Sequence, residues 1–255
     1  MLDYNHRPGI AERVNAAIDV ALIAEREATP PRTYLGASRL GHACERALQF
    51  EFAGAPKDEG ADFGGQTLRI VEIGHQLEDL AIRWLQAAGL DLYTRKGNRP
   101  DGEQFGFSVA GGRIRGHVDG IIAAAPAPRG IGVPALWECK TMNAKNWRAC
   151  VKDGVALAKP VYAAQIALYQ AYMEGSVPSI SAHPALFTAI NKDTAELHHE
   201  LVPFDAGLAQ RMSDRGVRIL QATDAGELLP RLATNRDFFE CRFCPWAARC
   251  WGLPG

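Results

Sequence analysis

The sequence has no run approaching the roughly 18 apolar residues of a membrane span, no internal repeat and no low-complexity tract. A membrane is therefore not among the expected partners. It also lacks an excess of either charge, because 28 Lys and Arg against 29 Asp and Glu give a formal net charge of −1. That excludes a globally basic nucleic-acid binder, so any polyanion has to be met by a local patch. The opening MLDYNHRPGIAERVN carries charges where a signal peptide needs an apolar core, and the expected location is the cytoplasm. In that reducing setting the 6 cysteines read as ligands or buried thiols before disulfides. What is present is ordinary for a globular chain: 47% hydrophobic and 22% charged residues over a length that suits one large domain. We divide residues 1–255 into N-terminal helices (1–60), a core (61–222) and a cysteine-bearing C-terminal segment (223–255).

Apolar positions at helical spacing (Ile10, Val14, Ala17, Ile18, Ala21, Leu22) predict an amphipathic helix over 9–28, ended by the proline pair that follows. Ser38 as N-cap predicts a second helix, SRLGHACERALQFEF, with Cys44 in its middle. A third is expected over 66–88, closed by Gly89. Strand-like segments follow at LDLYTR and EQFGFSVAG, then helices over 144–152 and at PVYAAQIALYQAYMEG, the latter opened by Pro160. ISAHPALFTAIN and AELHHELVPF predict a hairpin across a Lys-Asp turn, and Asp205 caps a helix through Leu220. The sum is an α/β or α+β fold: helices, a mixed central sheet, then more helices.

Residues 113–141 carry the chemistry. Their two ends alternate like strands, while APAPRGIGVP between them cannot hold a regular element. Alternation places Arg113, Arg115, His117 and Asp119 on one face of the first strand, with Ile114 and Val118 on the other. On the second strand Glu138 and Lys140 share a face, and Trp137 and Cys139 take the opposite one. Two carboxylates and a lysine are costly to bury unless a cation sits among them. Asp119 and Glu138 offer hard oxygens to magnesium or manganese, and the carbonyl of Cys139 can add a third. Lys140 would lie beside the ion, where a cation can orient water or stabilise developing negative charge. Phosphodiester hydrolysis needs this set, but the same three residues would also make an ordinary inter-strand salt bridge. Upstream, His75 and Glu78 sit three apart on a helix and can reach one cation. Downstream, Gln165 and Tyr169 share a helix face among apolar neighbours.

The second constellation is sulfur. Cys241, Cys244 and Cys250 are spaced C-x2-C-x5-C in a segment too short for its own core. A tetrahedral ion or a cluster needs a fourth ligand. Cys139 belongs to the strand just described and Cys150 to the helix after it, which favours Cys44. Zinc and a disulfide pair remain alternatives on spacing alone.

In order along the chain, Cys44, Gly74 with Glu78, Asp119, Glu138-x-Lys140, Gln165-x3-Tyr169 and the three C-terminal cysteines resemble the PD-(D/E)XK nucleases of the RecB type. More narrowly they resemble the iron-sulfur branch, which includes CRISPR-associated RecB-like exonucleases, the AddB nuclease domain and phage exonucleases. The resemblance covers nearly the whole chain. It implies a restriction-endonuclease-like core with a mixed central sheet flanked by helices, whose two ends are joined by a [4Fe-4S] cluster on Cys44, Cys241, Cys244 and Cys250. It implies a magnesium- or manganese-dependent exonuclease acting on single-stranded DNA or DNA ends, with a recombination or CRISPR adaptation protein as partner. Glu78, Asp119, Glu138 and the Cys139 carbonyl would hold the metal, Lys140 would be catalytic, and Gln165 and Tyr169 would lie near the DNA backbone. Two positions depart from the pattern. Glu78 stands where many members have histidine, with His75 as a displaced substitute, and Val118 replaces the proline before Asp119. A DNA-end-binding or assembly module and a site-specific endonuclease are the alternative expectations. Arg113, Arg115, Lys145 and Arg148 are nominated for a DNA groove.

Overall fold

The computed structural model describes residues 8–98, 101–126 and 130–254. Residues 1–7 of the N-terminal reading and 127–129 of the Pro/Gly-rich excursion lie outside the described residues. The chain runs α1 (Ile10–Ala28), β1 (Leu35–Gly36), α2 (Glu45–Phe52), α3 (Gly65–Ala87), β2 (Asp91–Tyr93), β3 (Gly106–Val109), β4 (Ile114–His117), β5 (Gly120–Ala124) and β6 (Ala135–Met142). It continues through α4 (Ala144–Asp153), α5 (Val155–Ala158), α6 (Pro160–Met173), β7 (Ala185–Asn191), β8 (Leu197–Val202), α7 (Ala206–Asp224), α8 (Phe239–Arg242) and α9 (Ala247–Gly252).

The strands form two sheets. The larger has the order β2-β5-β6-β7-β8, and the smaller the order β1-β4-β3. In the larger sheet β6 pairs antiparallel with β5 and parallel with β7, the crossover being made by α4, α5 and α6. β7 and β8 form the expected antiparallel hairpin. The mixed sheet with helices on it agrees with the α/β reading.

β6 is the strand on which the molecule is built, and it is buried on both faces. Leu77, Ala81 and Leu85 of α3 cover the face of Trp137 and Cys139. α6 covers the other face, where Leu136 and Met142 join the main core with Ile166, Leu168 and Met173. Fully burying an aliphatic side chain of this kind contributes about 1.5–3 kcal/mol, so β6 is anchored from both sides before its polar residues are considered. Pro160 opens α6 at its first turn, and Gly89, at φ +89°, closes the α3 end as expected.

Three expectations need correction. The first strand of residues 113–141 is two strands in two sheets: β4 pairs with β1 and β3, whereas β5 pairs with β2 and β6. The chain steps across at Val118, whose amide still bonds the Phe105 carbonyl (2.9 Å) while Gly120 already faces Trp137. Cys44 is not mid-helix. It is the extended residue at the start of α2, and its amide donates to Nδ1 of His42 (3.2 Å). Gly41 lies in the non-helical segment before it, so close to α6 that an added Cβ would come within 2.9 Å of Val161 and Ala164. Finally, α1 is helical but buries none of its residues, and Ile10, Val14 and Ile18 remain exposed.

Candidate active site and cysteine pocket

Asp119 ends the step between sheets and lies beside β6. The antiparallel register Gly120↔Trp137 and Ile121↔Leu136, continued by one residue, sets Asp119 opposite Glu138. Its Oδ2 accepts the Cys139 amide at 2.8 Å. Glu138 is 0% exposed. Its Oε1 accepts from the Lys140 ammonium and from Gln165 Nε2 of α6 (2.5 Å), whereas its Oε2 is buried with no hydrogen-bond partner. Lys140 Nζ also reaches the Cys139 carbonyl (3.1 Å) and lies 3.7 Å from Asp119 Oδ2. Its ammonium sits 5.6 Å from the ring centre of Tyr162. The structure thus gathers Asp119, Glu138, Lys140, the Cys139 carbonyl and Gln165 within one hydrogen-bonded set.

The electrostatics of this set are those of crowded acids. Burial first, and then the charge of Asp119, push Glu138 up to about 8 against the opposing pull of Lys140. Glu78 of α3 is pushed up to about 7, by burial first and then by Asp119. Glu78 therefore belongs to the same electrostatic cluster. His75 does not join it: it is exposed on α3, and the charges acting on Glu78 are Asp119, Lys140 and Asp79. Lys140 loses by burial, but Glu138 and Asp119 outweigh that loss and its ammonium is held well above the ordinary lysine range. Burial, then Asp119, raises the Cys139 thiol, which packs into the α3-side core. Cys139 accordingly offers the site its backbone only.

Glu138 and Glu78 titrate above the ordinary carboxyl value of 4.5, so at these two positions the folded, metal-free chain binds more protons than the unfolded one between about pH 4.5 and pH 8. Their contribution is fully present below that window and is lost as pH rises through about 7 and about 8. Thermal melts in chelator are expected to show a higher Tm at pH 6 than at pH 9. Added magnesium should restore more stability at pH 9, where it need not displace protons. A Tm gap that does not close with magnesium would count against a cation site.

Gly74 sets how closely α3 approaches β6. A Cβ there would stand 3.3 Å from Thr141 Oγ1. Gly74→Leu is expected to displace the turn that carries Glu78. A shift of about 1 Å can cost roughly 10²-fold in rate, so turnover that depends on Glu78 should fall by at least tenfold with the circular-dichroism spectrum unchanged. Full turnover would show that Glu78 is not needed in place.

Gln165 and Tyr169 are both interior. Gln165 is the hydrogen-bond partner of Glu138, and Tyr169 packs edge-on against Phe107 (5.2 Å between ring centres) in the main core. Of the nominated cations, Arg113 is paired with Asp224 at 2.5 Å and Arg115 lies over Tyr34, while Lys145 and Arg148 are exposed on α4. Tyr162 was not anticipated. An aromatic residue three positions before Gln165 on α6, and so on the same helical face, was the available signal.

The second site lies at the N-terminus of α2. Cys44, Cys241, Cys244 and Cys250 line one cavity of about 190 Å³ together with Arg39, His42 and Arg231. All four are free thiols. Burial first, then Cys44 and Cys250 beside it, raise the Cys241 thiol. The segment is tied to the N-terminal half by hydrogen bonds: Trp246 Nε1 to the Ala55 carbonyl (2.9 Å), Asp58 to the amide of Ala248 (2.6 Å), and Gln49 to Glu227 and Leu229 (2.6 and 2.9 Å). Among the described residues, no three His, Cys, Asp or Glu side chains converge, as they stand, into a group that could hold a metal ion.

No protein-family model and no curated protein matches this sequence. Solved structures do match. The crystal structure of SSO0001 aligns over 97% of this chain and 100% of its own, at 14% identity and a TM-score of 0.50. The alkaline exonuclease LHK-Exo from Laribacter hongkongensis aligns over 81% of this chain and 93% of its own, at 14% identity and a TM-score of 0.50. The chain shares their fold. No described helix is long and apolar enough to cross a membrane.

Proposed function

We propose that this protein is a divalent-metal-dependent DNA exonuclease of the PD-(D/E)XK, RecB-like iron-sulfur type. The observation that carries the reading is the buried Glu138 Oε2, an acceptor with no partner, set among Asp119, Glu78 and Lys140. A hard carboxylate oxygen with no donor, among acids that repel it, suits a hard cation. Glu78, Asp119, Glu138 and the Cys139 carbonyl would hold it. When bound, magnesium or manganese would supply Lewis-acid charge at a scissile phosphodiester. The shared fold with an alkaline exonuclease supports the same reading.

The chain's own side chains have distinct tasks. Gln165 fixes Glu138 through Oε1, while Oε2 stays buried without a partner. Lys140, with Tyr162 behind it, keeps a positive charge where negative charge develops on the phosphate and orients the attacking water. Tyr169 supports α6 from the core.

The four cysteines would hold a [4Fe-4S] cluster that joins the two ends of the chain. They line one cavity of about 190 Å³ together with Arg39, His42, Arg231 and several aromatic side chains, and four cysteine sulfurs are the ligand set such a cluster takes. The reading is tested on 5′- and 3′-end-labelled linear DNA beside a covalently closed circle. We expect nucleotides from the linear DNA and an intact circle. Cutting of the circle at fixed sites would replace exonuclease by endonuclease. Stable end binding without cleavage in any divalent ion would replace it by a binding module.

A further inference from the structure

Arg46 follows Cys44 by two residues on α2 and is 0% exposed. Its guanidinium donates to the carbonyls of Leu229 and Pro254 (the latter at 3.0 Å) and approaches Cys250 Sγ at 3.8 Å. Its Nη2 is buried with no partner. Among the described residues no carboxylate lies within ion-pair distance of it, although the arginines and lysines on the surface of this chain are repeatedly paired with acids. A buried cation without a counter-anion is strongly disfavoured. A group able to become anionic does lie at its Nη1, the Cys250 sulfur at 3.8 Å, since thiolates and not thiols ligate metals. Arg39 and Arg231 line the same cavity, but Arg39 is paired with Glu51 (3.1 Å) and Arg231 donates to the Cys250 and Leu253 carbonyls. Arg46 alone among them is both enclosed and short of an acceptor.

We propose that Arg46 is the charge partner of the anionic group held by Cys44, Cys241, Cys244 and Cys250, retaining it and raising its reduction potential through the donor aimed at Cys250. The proposal rests on the cluster reading above. Reduction adds a negative charge to a cluster, and a neighbouring cation and a hydrogen bond to a ligand sulfur favour the reduced form. In iron-free protein the same cation has carbonyl partners but, among the described residues, no carboxylate at ion-pair distance, and its buried charge opposes folding. Arg46 therefore acts with opposite sign in the two forms, which a residue that merely ties carbonyls together would not do.

The test compares wild type, Arg46→Met and Arg46→Lys, purified without oxygen. The readouts are iron and sulfide content, midpoint potential with electrons supplied by an electrode, and Tm with and without iron. Arg46→Met is expected to hold less iron and to shift the reduced-to-oxidised ratio at least tenfold toward the oxidised form, about 59 mV more negative. It should melt lower than wild type when loaded and no lower when iron-free. Arg46→Lys, which keeps the charge, should retain iron and most of the potential. Unchanged iron and potential in Arg46→Met would overturn the assignment. So would an equal fall in Tm in both forms, or failure to fold even without iron. Wild-type protein that carries no iron would overturn the cluster reading itself, and the role of Arg46 with it.

Discussion

Lys140→Ala is expected to lower the rate of DNA hydrolysis by roughly 10²- to 10⁴-fold, the range for loss of a positioned acid-base or charge-stabilising group. Among the described residues the ammonium is the cation inside the acid cluster, bonded to Glu138 and 3.7 Å from Asp119. Removing one member of a buried ion pair often costs about 3–5 kcal/mol. Here the cost is relieved, because Glu138 already titrates near 8 and can take up a proton in place of its partner. The fold and the affinity for DNA should therefore survive, with the loss appearing in kcat. Lys140→Arg should not rescue turnover, since a planar fork cannot replace a compact ammonium held between Glu138 and the Tyr162 ring. Cleavage by Lys140→Ala at the parental rate would remove Lys140 from the mechanism.

Cys44→Ala is the second large effect. Under the cluster reading this one sulfur connects α2 to a segment about 200 residues later in the chain, and metal binding at such a clip is folding free energy. The variant should lose iron, fall in Tm, and become sensitive to proteolysis between 225 and 254. Hydrogen bonds from Gln49, Asp58 and Trp246 still hold that segment, so the nuclease core should stay folded while the tail loosens. Cys139→Ala and Cys150→Ala are the controls. Both thiols are buried away from the cavity, and both variants should retain iron. A colourless, stable and fully active Cys44→Ala protein would refute the clip.

Much of this arrangement was legible in the residues, and the failures share a cause. Alternation along β6 correctly put Glu138 and Lys140 on one face and Trp137 and Cys139 on the other, because period-two geometry is local. α3, α6, α7 and the β7–β8 hairpin were legible from periodicity and their caps for the same reason. The step at Val118 was not, since β4 alternates up to His117 and only the partners of β4 and β5, which are β3 and β6, reveal two sheets. The break before Cys44 was missed; it lies beside the place where Gly41 packs against Val161 and Ala164, more than 100 residues away in the chain, a contact that local periodicity does not reveal. Among site residues, Asp119, Glu138 and Lys140 were nominated from spacing, whereas Glu78 was preferred to His75 through the resemblance; the structure brings Asp119, Glu138 and Lys140 into one hydrogen-bonded set and Glu78 into its electrostatic reach. The lack of a partner for Glu138 Oε2 and for Arg46 Nη2 is a property of the packed interior and has no trace in the sequence.

The measurement that bears most directly on the whole account is release of nucleotides from linear DNA by wild-type protein stripped with chelator, then supplied with magnesium or manganese at pH 8. The acid cluster around Glu138 predicts no release in chelator and recovery with either ion. Release undiminished in chelator, or none in any divalent ion while DNA stays bound, would contradict it.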